Sequence, residues 1–411
     1  MTVGRATAPD TVAVAVRRGR LAVMATLVRL TGDFDLAEDC WQDAVEQALI
    51  KWPVNGVPDK AEAWLSVVAR NRAIDALRRR RTELDKLYDL HAASRLQGGR
   101  PCVTDDDRLK LLFACCHPAL PVAGRVALTL KTVTGLSTRE VARAFLVSEA
   151  TMGQRLLRTK TKIKNAGIAL RVPPADQFAD RVDGVLAVIY LLFTEGYSAT
   201  EGPPTREALA REAIELALLM VDLLPAHNEA RALLALMLLQ DSRRRARISG
   251  SGELVPIDEQ DRALWDRDQI NAGLRALVAI SPDQSPGPYR LQAAIAALHA
   301  TAERAESTDW GRVVKAYDAL LTIQYNPVIA LNRLVALSFR DGPDQALELL
   351  PMLQEELVGY PLLPAVHADF LRRAGRIAAA IPVYRTAMDR ARTGAERRFL
   401  ARRLGELLNT A

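Results

Sequence analysis

Apolar residues recur along almost the whole chain at three- and four-residue intervals, with Ala, Leu, Arg and Glu dominating and few β-branched alternations. That rhythm predicts an all-α protein. The pattern breaks where Gly, Pro, Ser and Asp cluster, at 51–59 (KWPVNGVPD), 97–107 (QGGRPCVTDDD), 171–175 (RVPPA), 248–252 (ISGSG) and 281–288 (SPDQSPGP). Breaks near residues 100 and 173 divide the chain into a helical domain over 10–96, a linker at 97–110, a second helical domain over 111–172 and a long helical region over 175–411.

The sharpest local pattern is GLSTREVARAFLVSEATMGQRLLRTKTKIKN, residues 135–165. Ser137 and Glu140 form a capping-box pair that starts a helix with Val141, Ala142 and Phe145 turned inward. After a turn at Leu146 and Val147, Ser148 caps a second helix whose buried stripe is Met152, Leu156, Thr159 and Ile163. This is the pattern of a helix-turn-helix. In the back half, Val313, Tyr317 and Leu320 share their spacing with Ala346, Leu350 and Leu353, 33 residues on, and with Ala380, Tyr384 and Ala387, 34 further. That period is the one of tetratricopeptide-type helix pairs. Gly342 and Gly375 stand just ahead of the second and third sets, where a tight turn needs positive φ.

Charge adds a division of labour. Residues 1–173 carry 28 Lys and Arg against 18 Asp and Glu, net +10, whereas the remainder is net −4. The front half is therefore the candidate for nucleic acid and the back half for protein or small ligands. Between Arg125 and Lys164 there are nine basic residues and two acidic. Thr151, Gln154, Arg155 and Arg158 face away from the stripe of the second helix, with Lys160, Lys162 and Lys164 behind them. Arg and Gln near a helix N-terminus suit guanine and adenine edges in a major groove, and lysines suit phosphates.

A helix-turn-helix alone does not decide the class; the segments upstream do. DFDLAEDCWQDAVEQALIKW (33–52) is an amphipathic helix with an acidic start, followed by the loop WPVNGVP and by AEAWLSVVARNRAIDALRRRR (61–81), which ends on four arginines. The D-x-A-E-D-x-x-Q-[DE] pattern from Asp35 to Asp43 and the A-W-L-x-x-x-A-R-N-x-A-I-D pattern from Ala63 to Asp75 resemble the extracytoplasmic-function (ECF) class of sigma factors, over roughly residues 10–170.

The resemblance implies two small sigma domains, with core RNA polymerase (its clamp and flap regions) and promoter DNA as partners. It implies that Asp35, Glu38, Asp39, Gln42 and Asp43 meet the polymerase clamp. Trp52 and Asn55 would accept a flipped base of the −10 strand, and Arg70, Asn71, Arg72, Arg78 and Arg79 would hold that strand. Ser148, Thr151, Gln154, Arg155, Arg158, Lys160 and Lys162 would bind the −35 element. In family members the linker threads into polymerase channels, and here it ends on Asp105, Asp106 and Asp107.

The remaining residues resemble the subgroup with a C-terminal tetratricopeptide-like extension, through LLALMLLQDSRRRAR (233–247), LVPIDEQDRALWDR (254–267) and GPYRLQAAIAALHA (287–300). The resemblance implies regulation by this domain, with a protein partner for it, in place of a membrane anti-sigma factor. Asp241, Arg243, Arg244, Arg245, Asp258, Gln260 and Asp261 make a polar concentration that reads either as a contact surface or as an exposed loop. A helix-turn-helix activator with a tetratricopeptide effector is the alternative, but it leaves 35–81 unexplained.

Other chemistry finds little footing. No phosphate loop, H-E-x-x-H or G-x-S-x-G motif is present, and the histidines at 91, 117, 227, 299 and 367 are far apart, so no enzyme activity and no cofactor are expected. Cys115, Cys116 and His117 are adjacent, but neighbouring side chains on a helix diverge by about 100°, so buried thiols are expected rather than a metal site. Without a signal-type segment or a long apolar run, a cytoplasmic protein with no membrane contact is expected.

Overall fold

The computed structural model describes residues 8–87, 106–145, 147–198, 205–281 and 285–409. Among these residues there is no β-strand, only one isolated bridge between Ile248 and Leu254. The chain divides into two compact units, Met1–Leu191 and Leu192–Ala411. Most of the linker expected at 97–110, together with Leu146 of the expected turn, lies outside the described residues.

In the first unit, α1 (Ala8–Thr31), α2 (Phe34–Asn55) and α3 (Ala61–Leu87) pack on one another. Helix α2 buries Phe34, Ala37, Cys40, Trp41, Ala44, Ala48 and Trp52, the three- and four-residue stripe of a core-facing helix. Its start is fixed by Asp33, whose carboxylate accepts from the backbone N–H groups of Asp35 (2.9 Å) and Leu36 (3.1 Å). The helix runs on through Pro53 to Asn55, so the first part of the expected 51–59 loop is helical. Proline is tolerated because the hydrogen bond it forfeits would go to the carbonyl of Leu49, which lies on an exposed face of the last turns.

Next come α4 (Asp107–Cys115) and α5 (Val122–Thr129), which widens into a π-helical turn over Leu130–Thr134 and stops at Gly135, φ 84°. The helix-turn-helix is α6 (Thr138–Ala144) and α7 (Glu149–Asn165). The expected capping box is present: the Ser137 N–H donates to Glu140 Oε2 at 2.7 Å and the Glu140 N–H to Ser137 Oγ at 3.2 Å. Helix α7 buries Met152, Leu156, Thr159 and Ile163, the stripe expected from spacing. The front of α8 (Ala175–Ser198) belongs to this unit. Arg181 donates to the Phe113 carbonyl at 2.6 Å, and Phe178 stands edge-on to Phe113 with centroids 5.8 Å apart. A division at 173 would cut this packing.

The second unit continues with α9 (Thr205–Leu223), α10 (Asn228–Asp241), α11 (Arg267–Val278), α12 (Pro288–Thr301), α13 (Trp310–Ile323) and α14 (Pro327–Arg340). After these come α15 (Pro343–Leu349), α16 (Pro351–Gln354), α17 (Leu363–Arg373), α18 (Ile377–Arg390) and α19 (Gly394–Leu408). Sequential helices pair, α13 with α14 and α17 with α18, as helix-hairpin repeats do. Eight of the nine repeat positions are buried, Tyr317 being half-buried. Gly342 (φ 98°) and Gly375 (φ 71°) make the expected left-handed turns.

The polar concentration around 241–262 holds this unit together internally. Arg244 pairs with Asp241, whose other oxygen accepts from Gln269 at 3.0 Å. Arg247 lies 3.9 Å over the Tyr197 ring and donates to the Tyr197 carbonyl at the end of α8. Arg262 donates to the carbonyls of His299 and Ala302 at the end of α12, where a cation also meets the negative end of the helix dipole. Gln260 is buried and donates to the Val255 carbonyl at 2.9 Å.

Candidate nucleic-acid and polymerase interface

Helix α7 is aimed by its cap. Ser148 Oγ accepts from the Thr151 N–H at 3.1 Å, satisfying an otherwise free donor of the first turn. With one stripe buried, Thr151, Gln154, Arg158 and Lys162 are exposed on the other side. They line one open groove with Pro121 and Gly124 of the α5 end. Arg155 is half-buried, its guanidinium 5.2 Å over the Phe145 ring, which limits how far it reaches. Lys160 turns the other way, toward α2.

Helix α3 buries Leu65, Ala69 and Ala73 and leaves Arg70, Asn71, Arg72, Arg78 and Arg79 exposed. Arg72 lies 3.8 Å from Asp43 and Arg78 3.8 Å from Asp75, both exposed pairs of little energetic weight. Asn55 is exposed at the last position of α2. Trp52 departs from expectation: it is only 2% exposed and packs edge-on against Trp64 with centroids 5.5 Å apart. It is a core residue beneath the loop, not a free stacking surface, because its position continues the buried stripe of α2.

On the acidic side of α2, Asp39, Gln42 and Asp43 are exposed. Asp35 and Glu38 are engaged within the chain. Glu38 takes Arg20 Nη2 at 2.7 Å and Lys131 Nζ at 3.5 Å, and its side chain is 15% exposed. Burial alone would raise the Glu38 pKa, but Arg20 and Lys131 outweigh it and hold the carboxyl below its ordinary value. Asp35 accepts from Lys160 Nζ at 2.5 Å. Of the linker acids, Asp106 caps α4 and Asp107 pairs with Arg29 at 2.7 Å.

Periodicity did not single out the exposed apolar residues Leu49, Ile50 and Val54 near the end of α2; their signal was that they fall off the buried stripe. Nor did it show Arg20 and Lys131 as partners of Glu38, since they are 18 and 93 residues from it. Cys115 and Cys116 are buried, and burial pushes both thiols up, Cys116 to about 11. No helix among the described residues is long and apolar enough to cross a membrane.

Comparison with known proteins agrees with this arrangement. Residues 15–83 match Sigma-70 region 2, residues 110–163 match Sigma-70 region 4, and residues 181–281 match a family of unknown function, DUF6596. R00370, an uncharacterized protein of Rhizobium meliloti, is 44% identical over 383 residues, which is 90% of this chain and 89% of that one. The probable ECF RNA polymerase sigma factor SigI of Mycobacterium tuberculosis is 28% identical over 172 residues, 40% of this chain and 59% of that one. The ECF RNA polymerase sigma factor SigM of Bacillus subtilis is 30% identical over 139 residues, 34% of this chain and 83% of that one. No solved structure matches the chain. Two sigma regions in order, on the helices that the motifs mark, place the chain in the ECF family of RNA polymerase sigma factors, with a helical extension behind region 4.

Proposed function

We propose that this sigma factor binds core RNA polymerase through the acidic side of α2, reads the −35 element with α7 and opens the −10 element with α3, Asn55 and the loop that follows it, under the control of its helical extension. The observation that carries this reading is the face of α7: four side chains suited to DNA are exposed in one row, on a helix whose opposite stripe is buried and whose N-terminus is capped. The row lets Gln154 and Arg158 meet base edges or phosphates while Lys162 adds a phosphate contact. On α3, Asn71 and Arg78 stand seven residues apart, two turns along one exposed face, where an extruded strand would run. Trp52 supports the loop from below and takes no base itself. For the extension, the helix-hairpin repeats supply the support, since such repeats commonly serve as docking platforms.

Holoenzyme binding to two DNA probes tests the assignment. Substitution of Arg158 and Gln154 is expected to weaken binding to a −35 duplex and spare a fork-junction probe bearing single-stranded −10 DNA. Substitution of Asn71 and Arg78 is expected to do the reverse. Equal loss on both probes would refute the split. The extension is best probed in the full chain, because a fragment ending at Pro173 strips Phe178 and Arg181 from Phe113.

A further inference from the structure

Where α7 ends and α8 begins, the first unit forms a small concave pocket of about 250 Å3. Its walls follow from the local sequence. Gly167 (φ 60°) closes α7 in a left-handed turn, its N–H donating to the Lys164 carbonyl at 3.2 Å and the Ile168 N–H to the Ile163 carbonyl at 3.1 Å. Pro173 and Pro174, which cannot prolong that helix, stiffen the chain leading into α8. The hollow between this turn, the head of α8 and the loop after α4 is lined by His117, Arg171, Gln177 and Arg181. None of these four belongs to the groove along Thr151, Gln154, Arg158 and Lys162.

Positive charge gathers here without a counter-ion. Arg181 donates to the Phe113 carbonyl at 2.6 Å, and Arg125, close enough to act on both His117 and Arg181, donates to the carbonyls of Leu120 (2.8 Å) and Pro118 (3.2 Å). Among the described residues, no carboxylate pairs with Arg125, Arg171 or Arg181. Asp176 and Asp180, beside Gln177 and Arg181 in sequence, are exposed and do not line the pocket. His117 supplies a neutral donor: its Nδ1 accepts from the Ala119 N–H at 3.1 Å, which leaves the ring proton on Nε2. Burial first, then Arg181 and Arg125, hold its pKa below the ordinary value, so the ring is uncharged at neutral pH. Guanidinium forks with donors left over are the groups that hold a phosphate. The volume falls below the ~300–1,000 Å3 of ordinary small-molecule sites, which suits a small ligand.

We infer that this pocket binds a small phosphorylated molecule, its phosphate held by Arg171, Arg181 and the Nε2–H of His117. Such a phosphate joins the loop after α4, the segment behind α7 and the head of α8, the helix that leads into the extension. Its binding therefore fixes α8 to region 4. A backbone phosphate of DNA carries the same chemistry, but the separate groove of α7 and the concavity of this pocket favour a free ligand. The inference does not depend on the proposed contacts with polymerase or promoter.

Inorganic phosphate, titrated into the full-length chain at constant ionic strength with chloride as the exchanged anion, tests the site through the imidazole NMR signals of His117. Those signals are expected to move saturably while those of His299 and His367 stay still. Arg171→Gln, at an exposed position, should weaken phosphate binding about tenfold, and Gln177→Glu, which sets a carboxylate in the hollow, should abolish it. Thermal unfolding without phosphate checks that both variants fold as wild type does. No saturable movement in the wild-type chain, or equal affinity in Gln177→Glu, would overturn the inference. A −35 duplex separates the two sources of phosphate: a free-ligand site keeps its phosphate affinity in the duplex complex, and Arg171→Gln leaves duplex affinity unchanged. Expulsion of phosphate by the duplex, with weaker duplex binding by Arg171→Gln, would make the pocket a DNA contact and overturn the free-ligand reading. Phosphate affinity is measured without polymerase or DNA, so its failure is distinct from any failure of the sigma-factor contacts.

Discussion

Gly124→Ala probes how α7 is seated. A Cβ at Gly124 would lie 2.7 Å from Thr159 Oγ1 and 3.4 Å from Thr159 Cγ2. Thr159 cannot simply rotate away, because it is buried and its hydroxyl donates to the Arg155 carbonyl at 2.8 Å. Helix α7 must then retreat by roughly 0.7 Å to restore an ordinary contact of 3.4 Å. Overpacking of this kind costs ~1–3 kcal/mol, against up to ~1 kcal/mol gained by replacing Gly with Ala in a helix. A net loss of ~1 kcal/mol of first-unit stability is expected, and because Gln154 and Arg158 move with the helix, binding to a −35 duplex should weaken as well. Fluorescence anisotropy at fixed salt and thermal denaturation read the two effects. Thr159→Ala removes both opposing atoms, so the double variant should recover most of the loss. The reasoning fails if Gly124→Ala is as harmful beside Ala at position 159 as beside Thr, or is harmless beside Thr.

Other expectations follow from single side chains. Arg158→Ala and Lys162→Ala should each weaken duplex binding and, where the group meets a phosphate, lower the slope of log affinity against log salt by about 1. Trp52→Ala should cost ~3–5 kcal/mol of first-unit stability in denaturant titrations, whereas Trp52→Phe should cost far less, an order that a solvent-facing base platform would not produce. His299 is pushed from 6.5 down to about 4, first by burial and then by the nearby Arg243 and Arg262 cations. The unfolded chain takes up a proton that the folded domain refuses, so this contribution is complete above pH 6.5 and is lost as pH falls toward 4, worth ~3 kcal/mol in all. Second-unit unfolding curves for His299→Gln should lack that part of the acid sensitivity.

What spacing could reveal, it revealed well. The stripe of α7, the Ser137–Glu140 capping box and the turns at Gly342 and Gly375 each depend on residues within a few positions of one another, where helical geometry is the whole determinant. Spacing did not show what docks on a helix from elsewhere in the chain. Trp52 was legible as the next member of the α2 stripe, but the loop signal of Pro53 and Gly56 masked it. The front of α8 joins the first unit because Phe178 and Arg181 find Phe113, a meeting over more than 60 residues of sequence. The polar run after Asp241 resembles a surface in composition, yet Arg247 and Arg262 go to helix-end carbonyls within their unit. Likewise, nothing in the spacing of Asp35 or Glu38 announced their basic partners across the first unit.

Run-off transcription with core polymerase free of any other sigma factor tests the central claim most directly, using the full-length chain on promoters enriched from genomic DNA. The account predicts discrete transcripts that depend on the chain and disappear when Asn71 and Arg78 are replaced. Sequence-specific duplex binding without any transcript, at low as well as moderate salt, would contradict it.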